Sequence, residues 1–144
     1  MKYEWPDKIS ISIFDEEKAV SKLIVYCLIT SKFKNAFPLD PQKTNENGEI
    51  EFIKKQLLNA IRSSREEYPM DYYGELSDCD GLKIIIEDQS GIEERLKRLK
   101  EFYPKEAEKL ENISKSCFNR NYRKFEKKFN IPFPEKIHIK LDSM

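Results

Sequence analysis

Residues 74 to 88 read GELSDCDGLKIIIED and set five carboxylates, a cysteine and two glycines against an apolar run. The first chemistry this suggests is calcium binding. With Leu76 taken as loop position 1, Asp78, Asp80, Gly81 and Glu87 fall at positions 3, 5, 6 and 12, where a calcium loop keeps ligands and its turn glycine. The first ligand position holds leucine instead of aspartate, Lys83 stands where an apolar residue belongs, and Ile84 to Ile86 demand a strand where a helix should begin. A calcium loop is therefore not expected. Clustered carboxylates raise one another's pKa, so Glu75, Asp78 and Asp80 also offer a carboxylate-metal hydrolase as an alternative.

A third chemistry is recognition. From Glu66 to Asp80 the chain reads EEYPMDYYGELSDCD, with six acidic residues, three tyrosines and no basic one. Tyrosine supplies contact area and carboxylates supply steering, which suits docking of a basic protein through Asp71, Tyr72, Tyr73, Glu75, Asp78 and Asp80. The opposite charge gathers from Lys115 to Lys128, where six basic residues accompany one acidic residue. On a helical wheel Arg120, Arg123, Lys124 and Lys127 oppose a stripe of Phe118, Tyr122, Phe125 and Phe129. Those four cations are the candidates for an alternative function in nucleic-acid binding, through phosphates and without base stacking. Glu126 and Lys128 also have the E-x-K spacing of metal-dependent nucleases, but such sites need carboxylates and lysine on adjacent strands, and the helical reading puts these two on a helix.

Other mechanisms find no residues to run them. His138 is the single histidine, flanked by lysines on an alternating segment, so paired-histidine acid–base chemistry is excluded and histidine metal clusters are disfavoured. Gly48, Gly74, Gly81 and Gly91 do not fall in the spacing of a phosphate loop or dinucleotide fingerprint. Cys27, Cys79 and Cys117 fit neither a disulfide framework nor a paired zinc spacing, and read as reduced thiols. No cofactor, no metal and no enzymatic activity are expected.

The elements that would position these groups follow from periodicity. KISISIF, residues 8–14, alternates like a half-buried strand. Asp15 caps a helix expected over 15–32, with a strand as the rival reading for its apolar run LIVYCLI at 23–29. Two prolines and an Asn-Gly pair make 34–48 a long loop. A second helix is expected over 49–65, a central strand over 82–87, and a third helix over 90–103 with Ser90 and Glu93 as its capping box. A fourth helix follows over 105–129, kinked near 114–116 because its two halves present different apolar faces. KIHIKL closes the chain as an edge strand at 136–141.

These elements predict an α+β fold, a small sheet of about three strands with about four helices, in a single globular domain spanning 1–144. The chain is 39% apolar and 36% charged, which argues for a solvated surface around a real core. No segment reads as a signal or a membrane span, so a soluble, cytoplasmic protein without a membrane partner is expected. The formal charge of zero conceals a split: residues 1–88 carry 12 basic and 17 acidic groups, residues 89–144 carry 14 and 9. Such halves can satisfy each other inside one molecule or across a homodimer. The expected function is that of a small protein-binding module, most concretely an inhibitor or immunity-type protein that neutralises a basic enzyme such as a nuclease toxin through residues 66–80.

Overall fold

The computed structural model describes residues 5–31, 36–67, 79–115, 124–131 and 135–141, with residues 63–67 described by backbone alone. Strand β1 (Lys8–Asp15) forms as its alternation demands, with Ile9, Ile11 and Ile13 fully buried and Ser10, Ser12 and Phe14 on the other face. A turn through Glu16, at φ 56°, leads to the short β2 (Lys18–Ala19), which folds back on β1. β3 (Ile24–Ser31), β4 (Ala36–Pro38) and β5 (Gln42–Lys43) come next, then β6 (Glu49–Ile53) and helix α1 (Lys54–Glu67). β7 (Cys79–Ile86), α2 (Gln89–Phe102), α3 (Pro104–Ser114), β8 (Phe125–Asn130) and β9 (Lys136–Leu141) complete the described chain.

Two sheets result. In the first, β1 is central: β6 and β2 pair antiparallel on one edge, and β9 pairs parallel on the other, Ser10 opposite Lys136 through Asp15 opposite Leu141. In the second, β4 and β5 flank β3 on one side, and β7 then β8 follow on the other, all antiparallel. The sheets face each other over one core, in which Ile9, Ile11, Ile13, Ile137 and Ile139 meet Val25, Cys27, Ile29, Leu82, Ile84 and Ile86. α1 adds Leu57 and Ile61 to this core and touches both β4 and β6, so it closes the side where those two strands are the edges. The opposite side is bounded by β8 and β9. Helices α2 and α3 cover the outer face of the second sheet, where Ile24, Tyr26 and Ile85 pack against Ile92 and Leu110. Burying each such Ile or Leu contributes about 1.5–3 kcal/mol, enough to hold a helical hairpin on a sheet.

The α+β class stands, but several expected elements are corrected. Of the helix expected over 15–32, residues 16–31 form a turn, β2 and β3, so the rival strand reading holds for the apolar run, and residue 32 lies outside the described residues. The run LIVYCLI is apolar on both faces because β3 is sandwiched: Val25, Cys27 and Ile29 point to the main core, while Ile24 and Tyr26 lie under α2 and α3. Both Glu16 and Lys22 adopt positive φ, which no helix through them permits. Of the helix expected over 49–65, the first five residues are strand β6, whose Ile50 and Phe52 are buried and whose Glu49 and Glu51 are not. Gly48 makes that entry possible, since at φ 73° a Cβ there would sit 2.7 Å from the Ile13 carbonyl oxygen. The loop expected over 34–48 contains β4 and β5, and Thr44 fixes its end by accepting from Leu23 N and donating to Val20 O. The third helix caps at Asp88 and not at Ser90: the Asp88 carboxylate accepts from Gly91 N at 2.8 Å. Pro104 ends α2 and starts α3 at its first turn, where a missing N–H costs nothing. α3 ends at Ser114, residues 116–123 of the expected continuation lie outside the described residues, and β8 overturns it over 125–129. No described helix is long and apolar enough to cross a membrane.

Candidate functional site

The acidic segment ends where the second sheet begins. Asp80 enters β7 beside Thr30 of β3 and Lys128 of β8, and it is held from both sides: Thr30 Oγ1 donates to Asp80 Oδ1 at 2.7 Å, and Lys128 Nζ lies 3.2 Å from the same oxygen. Its carbonyl also accepts from Ile131 N. Burial disfavours ionising Asp80, but the Thr30 hydroxyl and the Lys128 ammonium outweigh it and hold the carboxyl below its ordinary range. Gly81 permits this close packing, because a Cβ there would meet the Phe129 carbonyl oxygen at 2.6 Å.

Further along the same outer face, Lys83 Nζ reaches Glu126 Oε1 at 2.6 Å, and Lys124 lies 3.7 Å from the other oxygen of Glu126. The Lys83 hydrogen bond and charge, seconded by Lys124, hold the Glu126 carboxyl low as well. Glu126 and Lys128 thus sit on a strand, next to one that carries Asp80, which corrects the helical placement and restores the arrangement the E-x-K spacing requires. The register decides against a shared metal. Asp80 lies beside the row in which Gly81 faces Asn130, whereas Glu126 faces Ile85, four residues along β8, or about 13 Å. Lysines occupy the space between, and among the described residues no group of three His, Cys, Asp or Glu side chains could hold a metal ion.

At the end of β7, Glu87 is nearly buried and takes a two-pronged ion pair from Arg95 of α2, at 2.7 and 3.0 Å. The Arg95 guanidinium also lies 4.5 Å above the Tyr26 ring. The Glu87 hydrogen bonds raise the Arg95 pKa still further, so this pair is a permanent clamp between helix and sheet. The two described thiols offer no nucleophile: Cys27 and Cys79 are buried, and burial pushes the Cys27 thiol far up. His138 stands on the solvent face of β9 with its ring 6.2 Å from that of Phe14, whereas those thiols point into the core.

Of the residues expected to dock a partner, Asp71, Tyr72, Tyr73, Glu75 and Asp78 lie outside the described residues, and Asp80 is engaged internally as above. Of the cations considered for nucleic acid, Arg120 and Arg123 lie outside the described residues, as does Cys117. Lys124 and Lys127 are three apart on extended backbone, which puts them on opposite faces and not side by side as on a helix. Lys124 is paired with Glu126, and Lys127 lies over the Phe129 ring at 5.0 Å. Sequence reasoning missed Thr30, Lys83 and Lys128 as partners of the carboxylates. The signal that could have found them was the alternation FEKKF, read at period two. No family model matches the sequence, and no curated protein matches it either.

Proposed function

We propose that this chain is a small protein-binding module that docks a basic partner through its acidic, tyrosine-rich segment 66–80, and that its most concrete form is an inhibitor or immunity-type protein neutralising a basic enzyme such as a nuclease. The observation that supports this is the anchoring of Asp80. The segment leaves α1 at one end and enters the central strand β7 at the other, and at that exit Thr30 and Lys128 fix the chain to three strands at once. A recognition segment mounted on packed elements loses less entropy on binding. Asp80 therefore belongs to the mounting, and the docking charges are Asp71, Glu75 and Asp78, with Tyr72 and Tyr73 as anchors.

The test is a variant carrying Asp71→Lys, Glu75→Lys and Asp78→Lys, with Asp80 kept. Used as bait in the native host, wild type should retain a basic protein that the triple variant loses, while both share the same far-ultraviolet circular dichroism and unfolding midpoint. Retention of the same protein by the triple variant overturns the proposal.

A further inference from the structure

Among the described residues, one edge of strand β9 has no pairing strand. The Ser10 amide donates to the Glu135 carbonyl at 2.8 Å, and Ser10 stands opposite Lys136. In a parallel ladder a residue bonds to the two neighbours of its partner, so Ser10, Ser12 and Phe14 engage residues 135, 137, 139 and 141. The N–H and C=O groups of Lys136, His138 and Lys140 consequently point away from β1, and no described strand pairs with them. These same residues project their side chains to solvent, and neither Lys136 nor Lys140 forms an ion pair with a described residue. Ile137, Ile139 and Leu141 are buried in the core, which fixes the register of the strand. β9 thus offers main-chain groups that no described strand pairs, with Lys136 and Lys140 on its outer row.

We propose that this edge binds an extended segment of a partner protein by strand addition, and that the segment alternates acidic and apolar residues. The acidic positions face Lys136, His138 and Lys140. The apolar positions turn inward at the side of the sandwich bounded by β8, where Phe125 and Phe129 are only partly buried against the core. β8 itself is a poor template, because Lys127 stands on its inward-facing row between those two rings and an inward charge blocks an added strand. β9 carries no such charge.

The test is fluorescence anisotropy at low salt with a short labelled peptide alternating Asp and Val. Saturable binding is expected, about tenfold weaker in the Lys136→Glu, Lys140→Glu double variant, since that reverses two of the paired charges. The variant His138→Pro removes one outward N–H at an edge position, where proline is tolerated, and should lose the peptide. A peptide N-methylated along its backbone should also lose binding, and it tests the same bonds with the protein unaltered, so misfolding of His138→Pro does not blunt the result. A flat titration, or equal binding of a scrambled or N-methylated peptide, overturns the proposal. So does a concentration-dependent dimer in sedimentation that the lysine variants dissolve, which would make a second copy the occupant. The Asp71→Lys, Glu75→Lys, Asp78→Lys variant should bind the peptide as wild type does, which separates this site from the one on segment 66–80.

Discussion

Strands β8 and β9 have the same length, bound the same side of the sandwich and are both rich in lysine, yet their charges end in different places. On the outer row of β8, Lys128 is tied to Asp80, and Glu126 is tied to Lys83 and Lys124, so the cations are neutralised within the molecule. On the outer row of β9, Lys136 and Lys140 form no ion pair with a described carboxylate. The inner rows differ in the opposite sense: β8 places Lys127 inward, while β9 places only Ile137, Ile139 and Leu141 there. A basic stretch is therefore not a basic surface until its register is known. The run that looks more like a binding site in sequence, Lys115 to Lys128, is the one whose described lysines are mostly occupied.

Substitutions can break this contrast, and the largest effect belongs to the row both readings treat as core. Ile139→Ala should cost about 3 kcal/mol in denaturant unfolding, because a buried isoleucine leaves a cavity between the sheets. Next comes Gly81→Ala, which should cost about 2 kcal/mol by driving β8 away from β7, visible as faster amide exchange along β8 and not along β9. Lys128→Met should cost at most about 1 kcal/mol at neutral pH, since the pair is partly exposed and screened. The Asp80 carboxyl is held low in the folded protein, so its contribution is complete above about pH 4 and is lost as pH falls through the folded value. In Lys128→Met the Asp80 resonance should titrate closer to the ordinary range, and an unchanged titration would show that Thr30 alone does the holding. Smallest of all, Lys136→Ala with Lys140→Ala should leave the unfolding free energy within about 0.5 kcal/mol of wild type, as expected for exposed cations that pair with no described residue.

The sequence carried the fold unevenly. Three strands were legible where alternation was clean, in KISISIF and KIHIKL, or where isoleucines clustered after Asp-Gly, in LKIIIE. β3 was legible only as the rival to a helix, because a strand buried on both faces loses its period of two, and its residues also satisfy a helical spacing. β6 was absorbed into α1 because Ile50 and Ile53 are three apart, although Phe52, the inward neighbour of Ile50, marks a strand. β8 was lost to a wheel on which Phe125 and Phe129, four apart, share a face in either geometry. That misreading propagated to the site: once β8 is a strand, Lys124 and Lys127 part company, and Asp80 acquires Lys128. The charge split between the two halves of the chain was compatible with separate faces, with pairing inside one molecule or with a dimer; the Asp80–Lys128 and Glu87–Arg95 pairs join an acid of the first half to a base of the second, while Lys83–Glu126 runs the other way.

The parallel pairing of β1 with β9 also governs the order in which this molecule can be completed. Ser10 and Lys136 lie 126 positions apart, the difference of their residue numbers, so this ladder closes the longest loop among the paired strands. Until β9 is synthesised, the β1 hairpin with β2 and its pairing with β6 can form, but the edge of β1 that will receive β9 stays open. A nascent chain stalled before residue 136 would thus expose Ser10, Ser12 and Phe14 as an unprotected strand edge, the kind of surface that recruits chaperones or other chains. Closure of the first sheet is a late event in the life of this protein, and the strand that ends its exposure is the one that then faces outward in its place.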